Sequence, residues 1–191
     1  MKVIGISGSP RKEGNTMIAL QTALNAVQAE GLETELVSLA DFPVKPCVAC
    51  YSCRNREKPQ CVQNDPHFDL LLEKILAADG ILVGSPVYFG SATPQMMSLL
   101  DRVGFTCRMS GHPLRRKVGA SIAVARRAGA NFTFSQLNYF FLISEMIVPG
   151  STYWNVGFGL DQGTISQDQE GIGIFENLGK NMAWLIKKLK A

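Results

Sequence analysis

The sequence predicts an α/β fold: a parallel β-sheet with helices packed on both faces. Three observations predict it. Short, nearly continuous apolar runs recur along the chain, as strands covered on both faces require. Longer runs with helical spacing alternate with them, strand then helix, five times over. No repeat, low-complexity tract or dividing linker interrupts the pattern. The 191 residues, 46% apolar, suit a single domain over 1–191 with one core.

The elements follow in order. Val3–Ser7 is the first strand. Thr16–Glu30 is helical, with Met17, Leu20, Leu24 and Val27 on one face. Gly31 ends it as a C-terminal cap. Thr34–Leu39 reads as the second strand, Asp69–Ala78 as a helix and Gly80–Gly84 as the third strand. Pro94–Val103 is a helix, with Thr93 placed to cap it and Pro94 in its first turn. Val118–Ala123 is the fourth strand, Phe132–Glu145 a helix and Met146–Val148 the fifth strand. Gly171–Lys190 closes the pattern as a helix, with Trp184, Leu185 and Leu189 on its inner face.

Composition excludes several function classes. A net charge of +3 is too small to imply nucleic-acid binding. The clusters Arg115-Arg116-Lys117, Arg126-Arg127 and Lys187-Lys188 read first as solvated faces, and otherwise as attraction for an anionic substrate such as a pyridine nucleotide. No apolar run reaches the ~18–20 residues that span a bilayer. Met1–Ile6 breaks at once into Ser, Gly and Pro, unlike a signal peptide. The expectation is a cytoplasmic protein, without membrane or nucleic-acid partners, whose five cysteines stay reduced unless they bind something. No Gly-x-Ser-x-Gly elbow or His-Glu-x-x-His run is present, so a hydrolase reading has no nucleophile and base to stand on. His67, near a helix start, and His112, in a Gly-His-Pro turn, read as surface or capping residues. Cys107 reads as a small buried hydrophobe.

In parallel sheets, ligands bind beyond the carboxyl ends of the strands, so the turns after strands carry the function. The first is Ser7-Gly8-Ser9-Pro10-Arg11-Lys12-Glu13-Gly14-Asn15-Thr16. Backbone N–H groups and a helix dipole at such a spot favour an anion. The hydroxyls of Ser9 and Thr16 and the amide of Asn15 can donate to phosphate oxygens, and Arg11 adds a charged donor. The loop lacks the Gly-Lys-Ser/Thr close of a P-loop and the spacing of the dinucleotide fingerprint. A phosphate monoester fits it better. The competing reading is a simple capping loop with Asn15 or Thr16 as N-cap. After the third strand comes Ser85-Pro86-Val87-Tyr88-Phe89-Gly90, whose aromatics either pack on a flat ring or plug the core.

Together these loops, with Leu100-Asp101-Arg102, resemble the NADPH-dependent FMN reductase family over nearly the whole chain. The resemblance implies a flavodoxin-like three-layer sandwich with five parallel strands in the order 2-1-3-4-5. It implies that Ser9, Arg11, Asn15 and Thr16 hold the FMN phosphate, and that Pro86, Val87, Tyr88, Phe89 and Gly90 line the isoalloxazine. The family's third, glycine-rich loop falls at Ala125-Arg126-Arg127-Ala128-Gly129-Ala130-Asn131, where one glycine remains and Arg126 joins the cofactor-binding set.

Cys47, Cys50, Cys53 and Cys61 form a C-x2-C-x2-C-x7-C run within a proline-bearing insertion at about 43–66. Three thiolates at this spacing can wrap one cluster, much as in ferredoxin-type runs. Structural zinc more often uses two separated pairs, and free reduced thiols are the third reading. The run resembles that of the iron–sulfur flavoprotein subgroup, which implies a [4Fe–4S] cluster held by these four residues beside FMN. The aromatic and glycine-rich stretch Ser151–Gly159, expected after the last strand, reads as a cover for the flavin, a subunit interface or a core-packing loop.

The resemblance implies an FMN-dependent oxidoreductase. Electrons would enter from NAD(P)H or a reduced protein and leave to a small-molecule or protein acceptor such as a quinone or a free flavin. It also implies a homodimer or homotetramer. No side-chain acid or base is then required, because the flavin carries the chemistry. The alternatives are an electron carrier or redox sensor without nicotinamide turnover, for which Arg126 and Arg127 would block the ring face, and an interaction protein with a vestigial flavin site.

Overall fold

A computed structural model describes residues 1–191. Its five-stranded sheet is entirely parallel, in the order β2-β1-β3-β4-β5. The strands are β1 (Lys2–Ser7), β2 (Glu33–Ser38), β3 (Gly80–Pro86), β4 (Val118–Ala125) and β5 (Val156–Phe158). The helices are α1 (Asn15–Ala29), α2 (Pro66–Ala77), α3 (Pro94–Arg108), α4 (Ala130–Ile143) and α5 (Gln169–Lys190), with a 3-10 turn at Thr164–Gln167. This is a flavodoxin-like three-layer sandwich.

Strand alternation divides the core. Ile4, Ile6, Ile81 and Val83 face α2, α3 and α4. Val3, Leu82, Ala120, Ile122 and Val124 face α1 and α5. Small residues set the closest approaches. A Cβ on Gly179 of α5 would stand 2.2 Å from the Ala23 carbonyl of α1, so only glycine lets those helices meet. A Cβ on Gly119 of β4 would meet the Phe141 ring at 2.4 Å, so Phe141 of α4 lies flat on that strand.

Several boundaries follow from local chemistry. Gly31 adopts φ +84° just after α1, as its capping role requires. Thr93 accepts the Met96 N–H at 3.3 Å, with Pro94 starting α3. That helix runs five residues past Val103, the end expected from sequence, because Gly104 is tolerated inside it and lets Phe140 of α4 approach. The second helix begins at Pro66 rather than Asp69, because Asp65 caps it by accepting the Phe68 N–H at 3.2 Å. Neither Asn15 nor Thr16 is the N-cap of α1; Gly14 holds that position.

Two expectations are corrected. The fifth strand is Val156–Phe158, not Met146–Val148. Ile147 makes only one bridge to the start of β4, through its N–H to Lys117 O and the Gly119 N–H to its own carbonyl, and Pro149, which has no N–H, ends that contact. The stretch Ser151–Gly159 therefore supplies a strand rather than following one. On α5, Trp184 and Leu189 point outward and Leu185 is half-buried; Ile174, Phe175, Leu178, Met182 and Ile186 form the inner face. No helix is long and apolar enough to cross a membrane.

Candidate functional site

Register places the carboxyl ends of four strands along one edge of the sheet. Ser7 lies beside Gly84, Pro86 beside Val124, and Ala125 beside Phe158. The loops 8–14, 87–93, 126–129 and 159–163 all leave from that edge.

The first two loops are locked together. The Gly8 N–H donates to Gly84 O at 2.7 Å, and the Thr93 hydroxyl donates to Gly8 O at 2.8 Å. The Thr93 N–H in turn donates to the Ser85 hydroxyl at 3.0 Å. Gly8 is glycine because a Cβ would meet Met96 Cβ at 2.8 Å and Thr93 Oγ1 at 2.9 Å. Ser9 is buried and its oxygen accepts the Arg11 N–H at 3.1 Å, which turns the loop toward α1. Thr16 is buried in the first turn of that helix. Arg11 is exposed, while the neighbouring Lys12 pairs with Asp41.

Asn15 is committed differently from the sequence reading. Its amide donates to Asp161 O at 2.9 Å and its side-chain oxygen stands 3.5 Å from the Ile165 N–H, so it ties the first loop to the loop after β5. Nothing in the sequence pattern links positions so far apart.

The second loop is held open. Tyr88 and Ser91 exchange backbone hydrogen bonds at 2.8 and 3.1 Å, and Gln136 of α4 accepts from Ser91 Oγ and the Ala92 N–H. Phe89 at φ 51° and Gly90 at φ 81° turn the chain between them. Pro86, Val87 and Gly90 are half-buried, Tyr88 is exposed, and the Phe89 side chain stands fully in solvent. Phe89 plugs no core.

The third loop closes on the second. Gly129 adopts φ +85°, and a Cβ there would meet Val87 Cγ1 at 3.0 Å and Gly90 Cα at 3.2 Å. The single glycine left in this loop therefore stands where the approach is tightest. Arg126 and Arg127 are exposed beside it. The side chains of Asp65, Thr93 and Asp168 cap α2, α3 and α5, whereas no side chain caps α1 or α4. The helix starts left free for an outside acceptor are thus those following the first and third loops.

The cysteine run lies in the irregular segment between β2 and α2. Cys47, Cys50, Cys53 and Cys61 all line one partly open cavity of about 20 Å³, whose floor is Arg102, Phe105 and Thr106 of α3. Ala49, Tyr51 and Asn55 adopt positive φ between and just beyond the cysteines, and the Ala49 N–H stands 3.4 Å from Cys47 Sγ. Turns of this kind aim backbone N–H groups inward, as thiolate sulfurs require. Hydrogen bonds from Ser52 hold the exposed Cys50 thiol below the ordinary range. Burial, with the other three thiols nearby, raises that of Cys53. No three His, Cys, Asp or Glu side chains close on a single-ion position.

The remaining candidates are structural. His67 Nδ1 lies 3.2 Å from Pro43 O, and His112 stands 3.3 Å from the Glu145 carboxylate in a surface turn. Cys107 is buried in the core.

Comparison with known proteins shows the family. The model of the NADPH-dependent FMN reductase family matches residues 1–161. An iron-sulfur flavoprotein of Methanocaldococcus jannaschii is 43% identical over 197 aligned positions, covering 100% of both chains. One from Methanosarcina thermophila is 39% identical over 152, covering 78% of each. Among solved structures, a flavodoxin from the domain Archaea shares the fold at a TM-score of 0.65, with 16% identity, covering 98% of this chain and 99% of its own. The matched family and the linked loops at the carboxyl edge lead to one conclusion: the chain belongs to the NADPH-dependent FMN reductase family and stands with its iron–sulfur flavoproteins.

Proposed function

We propose that this chain binds FMN at the carboxyl edge of the sheet and a [4Fe–4S] cluster on Cys47, Cys50, Cys53 and Cys61, and passes electrons between NAD(P)H or a reduced protein and an acceptor such as a quinone or a flavin. The observation that carries the reading is the locking of the first loop to the second through Gly8, Gly84 and Thr93. It sets a hydroxyl-rich, uncapped helix start beside a loop that exposes an aromatic pair. A phosphate monoester joined to a flat ring needs both.

The residues divide the work. Ser9, Thr16 and the free N–H groups at the start of α1 would hold the phosphate, with Arg11 supplying charge from outside. Asn15 joins through its backbone while its amide braces the wall formed by 159–165. Pro86, Val87 and Gly90 would support the ring, Tyr88 and Phe89 would flank it, and Arg126 lies on the loop that packs against them. When bound, flavin supplies hydride and single-electron chemistry, and the protein positions it and controls access. The donor set supports the cluster: four thiols at C-x2-C-x2-C-x7-C spacing line one cavity.

The anaerobic visible spectrum, with iron analysis and addition of NADH or NADPH, tests this. Flavin bands near ~370 and ~450 nm with a broad ~400 nm shoulder are expected. Bleaching by either nicotinamide is expected as well. Protein that folds yet retains no added FMN sinks the reading. Flavin that dithionite reduces but neither nicotinamide does would leave an electron carrier.

A second copy of the chain is proposed to cover α4. That helix contains no charged residue, buries Leu137, Phe140 and Phe141, and still exposes Phe132, Tyr139, Leu142 and Ile143. A contiguous exposed apolar patch of this kind marks an interaction surface. The α3–α4 groove, about 550 Å³, carries Asp101 and Arg108 on one face of α3. Burial raises the Asp101 carboxyl and no cation offsets it. Across a two-fold axis each would meet the other's counterpart. Light scattering should find a dimer or tetramer that Leu142→Glu with Ile143→Glu reduces to monomer with FMN still bound; a wild-type monomer at micromolar concentration counts against it.

A further inference from the structure

Arg102 lies at the heart of α3, on the floor of the cysteine cavity, and is only 1% exposed. It is the arginine of the Leu-Asp-Arg motif, and the flavin site does not use it. Its Nη1 donates to Lys45 O at 3.1 Å and to the Asp65 carboxylate. The Phe68 ring covers it, 3.8 Å from guanidinium carbon to ring centroid. Its Nε and Nη2 are buried with no acceptor at all. Those nitrogens carry three of the five guanidinium N–H donors. Asp65 does not take them: its carboxylate accepts from the Lys45 and Phe68 N–H groups and, of the guanidinium, from Nη1 only.

Buried cationic donors left unpaired are strongly unfavourable, so an acceptor is expected within reach. The groups that share the cavity with Arg102 are the four thiols, apolar and hydroxyl side chains, and Gln63, whose amide is turned to donate to Pro46 O at 3.0 Å. A set of thiolates, or a cluster held by them, is anionic and accepts N–H donors at sulfur. We infer that Arg102 is a positioning residue for the cysteine centre: its free N–H groups donate to the sulfur atoms held by Cys47, Cys50, Cys53 and Cys61, and its buried charge raises the reduction potential there. The inference rests on the proposed cluster reading.

The sign follows from charge. Reduction adds one electron, hence one negative charge, to the centre, and a nearby buried cation favours that form. Asp65, on the far side of the guanidinium, opposes it. The competing role is a core tether only. In that case one ordered water in the cavity, which is large enough to hold it, satisfies the spare donors.

The experiment is an anaerobic spectroelectrochemical titration of the reconstituted holoprotein, with dithionite as reductant and the flavin as internal control. Arg102→Met should lower the midpoint of the iron–sulfur centre by at least tenfold in its reduction equilibrium, about 59 mV for one electron. The flavin midpoint should stay in place, and Arg102→Lys should recover most of the shift. Asp65→Asn, which keeps an oxygen to cap α2, should move the midpoint the opposite way. A merely structural role would lower iron content in both variants without opposite shifts, and an unmoved midpoint in Arg102→Met overturns the inference. If Arg102→Met does not fold, the Asp65→Asn shift decides, and a fall or no change overturns it. Wild-type protein that binds FMN but incorporates no iron sinks the cluster reading and this inference together. Iron-loaded wild type with no Arg102 or Asp65 effect sinks this inference alone.

Discussion

Cys107 sits on the inner face of α3, and burial pushes its thiol up to about 12. Cys50, on the surface, is held low by hydrogen bonds from Ser52. The thiolate is the nucleophile, so the two should differ sharply in reactivity. In reduced, metal-free protein at pH 8, iodoacetamide should modify Cys50 first and Cys107 only after unfolding, read by peptide mass. Equal labelling rates would contradict the burial argument. This division was half legible in the sequence. An isolated cysteine in an apolar helix reads as core, while the four-cysteine spacing reads as a ligand set. That Arg102 closes the same cavity was not legible, because it comes from α3, far along the chain.

At the scale of elements, Asp168 carries more than one joint. Its carboxylate caps α5 by accepting the Gly171 N–H at 3.0 Å and holds β5 by accepting the Phe158 N–H at 2.8 Å. Asp168→Ala removes both, and a cap of this kind contributes about 1 kcal/mol. With the strand contact added, a loss of about 2 kcal/mol is expected. Urea unfolding should show a lower midpoint at unchanged slope. A loss below about 0.5 kcal/mol, within the range of ordinary surface substitutions, would mean that β5 is held by its ladder with β4 alone. The same element explains the one misread strand. Val156–Phe158 is three residues long and contains Gly157, where a Cβ would meet Phe175 Cζ at 2.8 Å. A run so short and glycine-bearing looks like a loop until its neighbours are known.

For the molecule as a whole, acid is the informative stress. Hydrogen bonds from Lys2 and Lys74 lower the Glu35 carboxyl. Burial alone would raise Asp65 and Asp79. Hydrogen bonds from the Lys45 N–H, Arg102 and the Phe68 N–H reverse this at Asp65, and those from Lys190 and the Lys2 N–H reverse it at Asp79. A depressed folded-state value means the unfolded chain binds more protons, so stability is full above the ordinary carboxylate range and is lost as pH falls through the folded values. Unfolding free energy should therefore be level between about pH 7 and 5 and fall steeply below about 4. Asp65→Asn should flatten part of that slope. An equally steep loss in that variant would place the acid sensitivity elsewhere.

The sequence by itself determined the layers, the strand-and-helix alternation, the two loops after β1 and β3 and the cysteine run. Each depends on contacts within a few residues or on a repeating period, which a linear pattern records. The tertiary structure alone decided which loops meet. Thr93 binds Gly8, Asn15 binds Asp161, and Gly129 packs on Gly90. It also decided that β5 comes from 156–158, that Trp184 and Leu189 face outward, and that Arg102 lies buried beneath the cysteines. The physical reason is the parallel sheet. Every crossover returns the chain to the same edge, so groups distant in sequence become neighbours there, and the partner of each is set by strand order and not by spacing.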